Sequence, residues 1–244
     1  MEIYRCFWNV NITSGRNTRY RARRQTFGLS RLGLNVNWKM SATSQRDSIP
    51  LHAEKDWKHA REIARNINDP WFKCQALAKV VGYAPTKKTR RALIDSALSA
   101  AAQCDSPNRR VTVASWPIKA MAKLGYLEQI NVSVQKLLQD IGTEPSPVRR
   151  ADALNVLLGA ISLLETDLFW EVYDAFERAC TTPVLSGKRN SKGERLLAQW
   201  AGHVYHRSGK RGVSLINSIK GPKQKELAEK LVQQNNNTIM WPNL

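Results

Sequence analysis

The chain has 244 residues, 42% of them hydrophobic, and carries 38 Lys and Arg against 20 Asp and Glu, a formal net charge of +18. That length supports a substantial core, and that apolar share excludes a wholly disordered chain. The longest apolar-rich run, residues 153–164, is about half of what a membrane-spanning helix needs, so no span is expected.

From residue 1 to residue 39 there is one acid, Glu2, and a cluster of arginines: Arg16, Arg19, Arg21, Arg23, Arg24 and Arg31. Helical periodicity is absent there. Several readings compete: a translated but disordered segment, a true start at Met40 with the upstream part spurious, an Arg-rich organelle leader, or a basic arm that touches nucleic acid. A secretory leader is not expected, because residues 1–30 lack a continuous apolar stretch before a small-residue cleavage site. The organisation read from the sequence is a basic disordered segment over 1–50, a helical repeat domain over 51–232 and a polar tail over 233–244. The first part has nine Lys/Arg against two acids, and residues 51–244 have 29 against 18, so the repeat region is basic in its own right. Such an excess suits an acidic partner. Cys6, Cys74, Cys104 and Cys180 lie far apart with no CxxC pair. Buried thiols in a reducing compartment fit that spacing better than a disulfide framework. The cytoplasm is the expected location, and an organelle reached through the Arg-rich N-terminus is the alternative.

A Pro-x-x-basic step then recurs at Pro70–Lys73, Pro107–Arg110, Pro147–Arg150 and Pro222–Lys225, spaced 37, 40 and 75 residues apart. The last gap is close to two periods. Asp69, Ser106, Ser146 or Gly221 precedes each Pro. Asp and Ser can accept from free first-turn N–H groups, and Pro at the first helical position loses no internal bond. Around these steps apolar residues fall at helical spacing. Unit one pairs Ala60, Ile63, Ala64 and Ile67 with Ala76, Leu77, Val80 and Val81. Unit two pairs Leu93, Ala97 and Ala101 with Val111, Ala114, Ile118 and Met121, and Pro117 is expected to kink or split that second helix. Unit three runs from Ile130 to Ile141, reaches Gly142 as an expected left-handed cap, and restarts at Ala151. Unit four has Leu168, Val172, Phe176 and Ala179, a loop over 181–193, then Leu196, Leu197, Trp200 and Val204. Unit five is short, with Leu215, Ile216 and Ile219 before Leu227, Leu231 and Val232. Two helices per period of this length predict an all-α fold, an α-solenoid of about five helical hairpins.

The stretch EPSPVRRADALNVLLGAI (144–161) resembles the inter-helix turn and second helix of a HEAT repeat, with its acidic–Pro–x–Val–Arg–x–x–Ala pattern. DPWFKCQALAKVV (69–81) and DSPNRRVTVASWPI (105–118) are looser matches, and the resemblance spans roughly residues 54–232. It implies a right-handed superhelix of the HEAT-like kind and a binding scaffold as the role class. The tetratricopeptide pattern of Trp, Leu-Gly, Tyr and Ala is missing.

The candidate partner-binding residues are a basic stripe, Lys73, Arg109, Arg110, Arg149, Arg150, Arg195 and Lys225. Stacked repeats bring such positions into register, where they can face phosphates or acidic side chains. A purely structural role competes, in which each basic residue pairs with an acid of a neighbouring turn such as Asp69, Asp105 or Glu144. Secondary clusters are Lys87, Lys88, Arg90 and Arg91, then Lys188 and Arg189, then Lys210 and Arg211. Trp57, Trp71, Trp116, Trp170 and Trp200 could stack bases, but at helical spacing beside Leu and Ala they read as core. His203 and His206, three apart, have no third ligand placed nearby, so no metal is expected. Asp167, Glu171, Asp174 and Glu177 read as a solvated helix face. No phosphate loop or nucleophile elbow is present. The expectation is a non-enzymatic scaffold without cofactor, whose partner is an acidic protein; nucleic-acid binding is the alternative, and a HEAT-like DNA glycosylase is a remote third.

Overall fold

Each of the four Pro steps opens a helix with Pro in its first turn. The structure, a computed structural model, describes residues 40–184 and 190–234. The expectations for residues 1–39, for Lys188 and Arg189, and for the tail beyond 234 lie outside the described residues. The helices are α1 (Ala42–Lys55), α2 (Trp57–Arg65), α3 (Pro70–Val81), α4 (Lys87–Ala102), α5 (Pro107–Leu124), α6 (Leu127–Gly142), α7 (Pro147–Ile161), α8 (Asp167–Thr181), α9 (Ser191–Arg207), α10 (Gly209–Ser218) and α11 (Pro222–Gln233). Among the described residues these eleven helices are accompanied by no strand, so the fold is all-α. None is long and apolar enough to cross a membrane.

The caps explain where the helices begin. Asp69 accepts from the N–H groups of Trp71 (2.9 Å) and Phe72 (3.2 Å), and Ser146 from that of Arg149 (3.4 Å). Ser106 and Gly221 make no side-chain cap, so there the fixed φ of Pro107 and Pro222 sets the first turn alone. Helix α9 starts without Pro, on Asn190, whose side chain accepts from the Gly193 N–H at 2.9 Å. Gly193 also lies where α8 crosses: a Cβ there would stand 2.3 Å from the Cys180 carbonyl oxygen.

Three local expectations are corrected. Helix α1 begins at Ala42, so the expected boundary at residue 50 falls inside a helix. Only Ile49 and Ala53 of α1 are buried, too sparse a pattern to show as amphipathic periodicity. Pro117 does not split α5, which runs unbroken from Pro107 to Leu124. A Pro inside a helix leaves the carbonyl four residues earlier without its usual donor. Here the Cys74 thiol donates to the Val113 carbonyl at 3.4 Å, and at Pro50 the Lys79 ammonium reaches the Arg46 carbonyl at 3.5 Å. Burial pushes the Cys74 thiol well above its ordinary pKa, which keeps the proton it donates. Gly142 is a helical residue, and Thr143 closes α6 by donating its hydroxyl to the Asp140 carbonyl at 2.7 Å. The left-handed cap is Gly125, at φ 71°, at the end of α5.

The helices pack around a connected row of odd-numbered ones. The odd-numbered helices touch in succession, α1 on α3, α3 on α5, α5 on α7, α7 on α9 and α9 on α11. Each even-numbered helix lies against the odd helices that flank it in the chain, and α6 also meets α8. The core is continuous through this arrangement, from Ile49 and Leu77 through Ile118 and Leu157 to Trp200 and Leu215. Its bulkiest part lies between α8 and α9, where Phe169, Tyr173 and Phe176 are fully buried beside Trp200. Cys74, Cys104 and Cys180 are buried free thiols.

Candidate functional site

The basic residues of the Pro steps fall at the fourth position of α3, α5, α7 and α11, within reach of the turn just before their own helix. Arg110 donates to the Cys104 carbonyl at 3.3 Å and Arg150 to the Glu144 carbonyl at 2.8 Å, each six residues back. Arg90, at the fourth position of α4, does the same to Ala84 at 2.7 Å. A guanidinium carries several fixed donors, so it satisfies turn carbonyls that no helix can. Arg110 goes further and grips Asp140 of α6 through two bonds, 2.8 and 2.6 Å. That hydrogen-bonded carboxylate raises the pKa of Arg110. Arg109 pairs with Asp105 at 3.2 Å, and Arg149 with the buried Glu144 at 3.5 Å. Four of the seven stripe residues are thus engaged by the chain itself.

The side chains of Lys73, Arg195 and Lys225 make no ion pair or hydrogen bond among the described residues. Lys73 faces a cleft of about 380 Å³ between α2, α3 and α4, lined also by Arg65, Asp95, Ser96, Ser99 and Gln103. In the secondary clusters, Lys87 and Arg91 both lie over the Tyr126 ring, at 5.8 and 5.6 Å. Arg211 pairs with Asp174 at 2.7 Å and covers the Trp170 ring at 4.4 Å. Lys88 and Lys210 are exposed and form no ion pair among the described residues. Two of the four acids of the α8 stripe thus engage neighbouring helices, since Glu171 also accepts from Gln135 of α6.

The five tryptophans among the described residues are each covered by a cation or buried in the core. Trp57, Trp71, Trp116 and Trp170 are half-buried against the core, and cations sit over their rings: Arg61, Arg109, Lys79 and Arg211, at 5.5, 5.5, 5.8 and 4.4 Å. Trp200 is buried and donates its indole N–H to Asn155 of α7 at 2.7 Å. His203 is equally committed, because its Nε2 accepts from the Arg207 Nε–H at 2.8 Å. Among the described residues no three His, Cys, Asp or Glu are gathered to hold a metal.

Several residues that join helices gave no sign in the sequence. Arg46, in the polar stretch before the first periodic helix, donates to Gln75 of α3 at 2.8 Å and lies over Phe72 at 5.2 Å. Asp152 of α7 accepts from Lys192 of α9 at 2.5 Å, and Asn108 of α5 donates to the Arg149 carbonyl at 2.6 Å. These hydrogen bonds join consecutive odd helices, 29 to 41 residues apart in the chain, a separation at which no short motif exists. Asp140 was the nearest to legible, since laying α4 over α6 marks it as an acid where α4 has Ala100.

Arg110 and Asp140 are each about one quarter exposed, and bidentate pairing of that kind is stronger than an ordinary surface ion pair. A double-mutant cycle with Arg110→Ala and Asp140→Ala is expected to give a coupling of about 1–2 kcal/mol in urea unfolding. Additive single effects would show that the pair does not tie α5 to α6.

No known family model matches the chain, and no curated protein or solved structure resembles it at a significant level.

Proposed function

We propose that the row of odd helices and the even helices against it constitute a HEAT-like right-handed α-solenoid, a non-enzymatic scaffold that presents its surplus positive charge to an acidic protein. The repeating support is the odd-helix succession together with the Pro-started helix in four of the five hairpins formed by α2–α11. The observation that carries the role is the division of labour among the cations. One set is spent on turn carbonyls and on carboxylates of the chain, and another set, Lys73, Lys88, Arg195, Lys210 and Lys225, has no carboxylate among the described residues. Cations without local partners set a positive potential that attracts acidic surfaces.

The aromatic rings separate the two classes of anionic partner. Base stacking needs open aromatic faces, and the half-buried tryptophans have cations over theirs. An acidic protein needs only the charge. Titration of the full chain with a glutamate-rich peptide, and separately with mixed-sequence DNA and RNA over a range of salt, tests this reading. Salt-sensitive binding of the peptide at least as tight as that of nucleic acid of equal charge is expected. Nucleic acid bound about tenfold more tightly would hand the function to the alternative reading.

A further inference from the structure

The Arg110–Asp140 clasp has an incomplete counterpart one repeat earlier. Lys73 holds the same place in α3 that Arg110 holds in α5, the fourth residue of a helix that starts on Pro. Helices α4 and α6 both have 16 residues, and Asp140 is the fourteenth of α6. The fourteenth of α4 is Ala100. Lys73 and Ala100 line the same cleft. Where the second repeat supplies a carboxylate, the first supplies a methyl group and leaves space.

We infer that this cleft receives one carboxylate side chain, an Asp or Glu, from the acidic protein partner, set where Asp140 stands relative to Arg110. The inference rests on the acidic-partner reading above and gives it a location. The lining supplies the donors: the Lys73 ammonium, the Arg65 guanidinium, the Ser99 hydroxyl and the Gln103 amide. Arg65 is only loosely held by Glu62, at 3.6 Å. Ser96 gives its hydroxyl proton to the Ala92 carbonyl at 2.8 Å, so it contributes an acceptor and little bulk. Asp95 shares the lining and leaves it with a single surplus positive charge. That balance suits a carboxylate of charge −1 and opposes a phosphate dianion.

The test uses the full chain and a fluorescein-labelled glutamate-rich peptide, read by anisotropy. Lys73→Gln is expected to weaken binding about tenfold, the loss of one charged hydrogen bond, whereas Lys136→Gln, at an exposed lysine of α6 outside the candidate binding set, changes it by less than about twofold. Ala100→Asp places the chain's own carboxylate in the cleft and is expected to weaken binding as much as Lys73→Gln, with helical circular dichroism retained. If Ala100→Asp fails to fold, the Lys73→Gln comparison decides. Binding by Lys73→Gln that matches the wild type overturns the site and leaves the acidic-partner reading standing, while a wild-type chain that ignores the peptide overturns both. Displacement of the peptide by millimolar inorganic phosphate, at constant ionic strength, would reassign the cleft to phosphate and overturn the carboxylate.

Discussion

Trp200→Ala is expected to lower the stability of the protein by about 3–5 kcal/mol, the range for deleting a large buried aromatic. Trp200 is 2% exposed, and its ring lies 6.2 Å from Phe169, 6.4 Å from Phe176 and 5.5 Å from His203, centroid to centroid. Its removal opens a cavity between α8 and α9 whose walls are rigid rings and cannot collapse into the space. The indole N–H also holds Asn155 of α7, so one side chain binds three helices. Trp200→Phe keeps most of the contact and breaks only that bond, and about 1 kcal/mol is expected. Asn155 is half-buried and can turn its freed oxygen to water. Urea unfolding followed by circular dichroism measures both. A midpoint for Trp200→Ala within error of the wild type would mean that this cluster does not anchor the C-terminal helices.

Arg207→Met is the second large effect, about 3 kcal/mol, because it strips donors from carbonyls at the end of α7. The guanidinium donates to the Ser162 carbonyl at 2.5 Å and the Leu164 carbonyl at 2.9 Å, and it lies 4.1 Å above the Phe169 ring. Helix α7 ends at Ile161 on Ser162, so the last residue of α9 closes an end formed some 45 residues earlier. Methionine retains the bulk and the contact with Phe169 but offers no proton. The same arginine governs an acid response. Burial first, and then the charges of Arg207 and His206, push His203 down to about 4. An unfolded His takes its proton near pH 6.5, so between those values the unfolded chain binds a proton that the folded chain refuses. Stability from this group is complete above about pH 6.5 and falls toward pH 4, by an amount on the order of 2 kcal/mol after allowance for partial exposure. In Arg207→Met the neighbouring charge is gone, His203 rises, and the loss between those pH values shrinks. An Arg207→Met chain as stable as the wild type and with the same acid response would refute this assignment.

The repeat punctuation was legible because Pro, Asp and Ser act on their own backbone. Pro70, Pro107, Pro147 and Pro222 each mark the start of a helix from the sequence alone, and the apolar spacing between them marks the helices of α2 to α11. Helix α1 escaped because a helix that buries only two apolar side chains leaves almost no period. Whether Pro117 would split α5 or leave it continuous stayed open in the sequence for a different reason. A helix tolerates an internal Pro when a distant donor answers the stranded carbonyl, and Cys74 is 39 residues from Val113. Within the basic stripe the sequence showed which residues were cationic but not which were already occupied. Arg110 and Lys73 look alike in sequence, and Asp140 against Ala100 separates them.

The succession of odd helices has a consequence for how such a chain can change its length. An even helix leans on its flanking odd helices, and the odd helices also touch one another in succession. Ser106–Pro107 and Ser146–Pro147 are equivalent junctions 40 residues apart. Excision of residues 107–146 would join Ser106 to Pro147 and restore the same Ser-Pro start, with α4 leading into α7 as it now leads into α5. Duplication of that stretch would be equally seamless at both joins. Recombination within a gene can therefore lengthen or shorten this protein by one hairpin at a time without inventing a new turn.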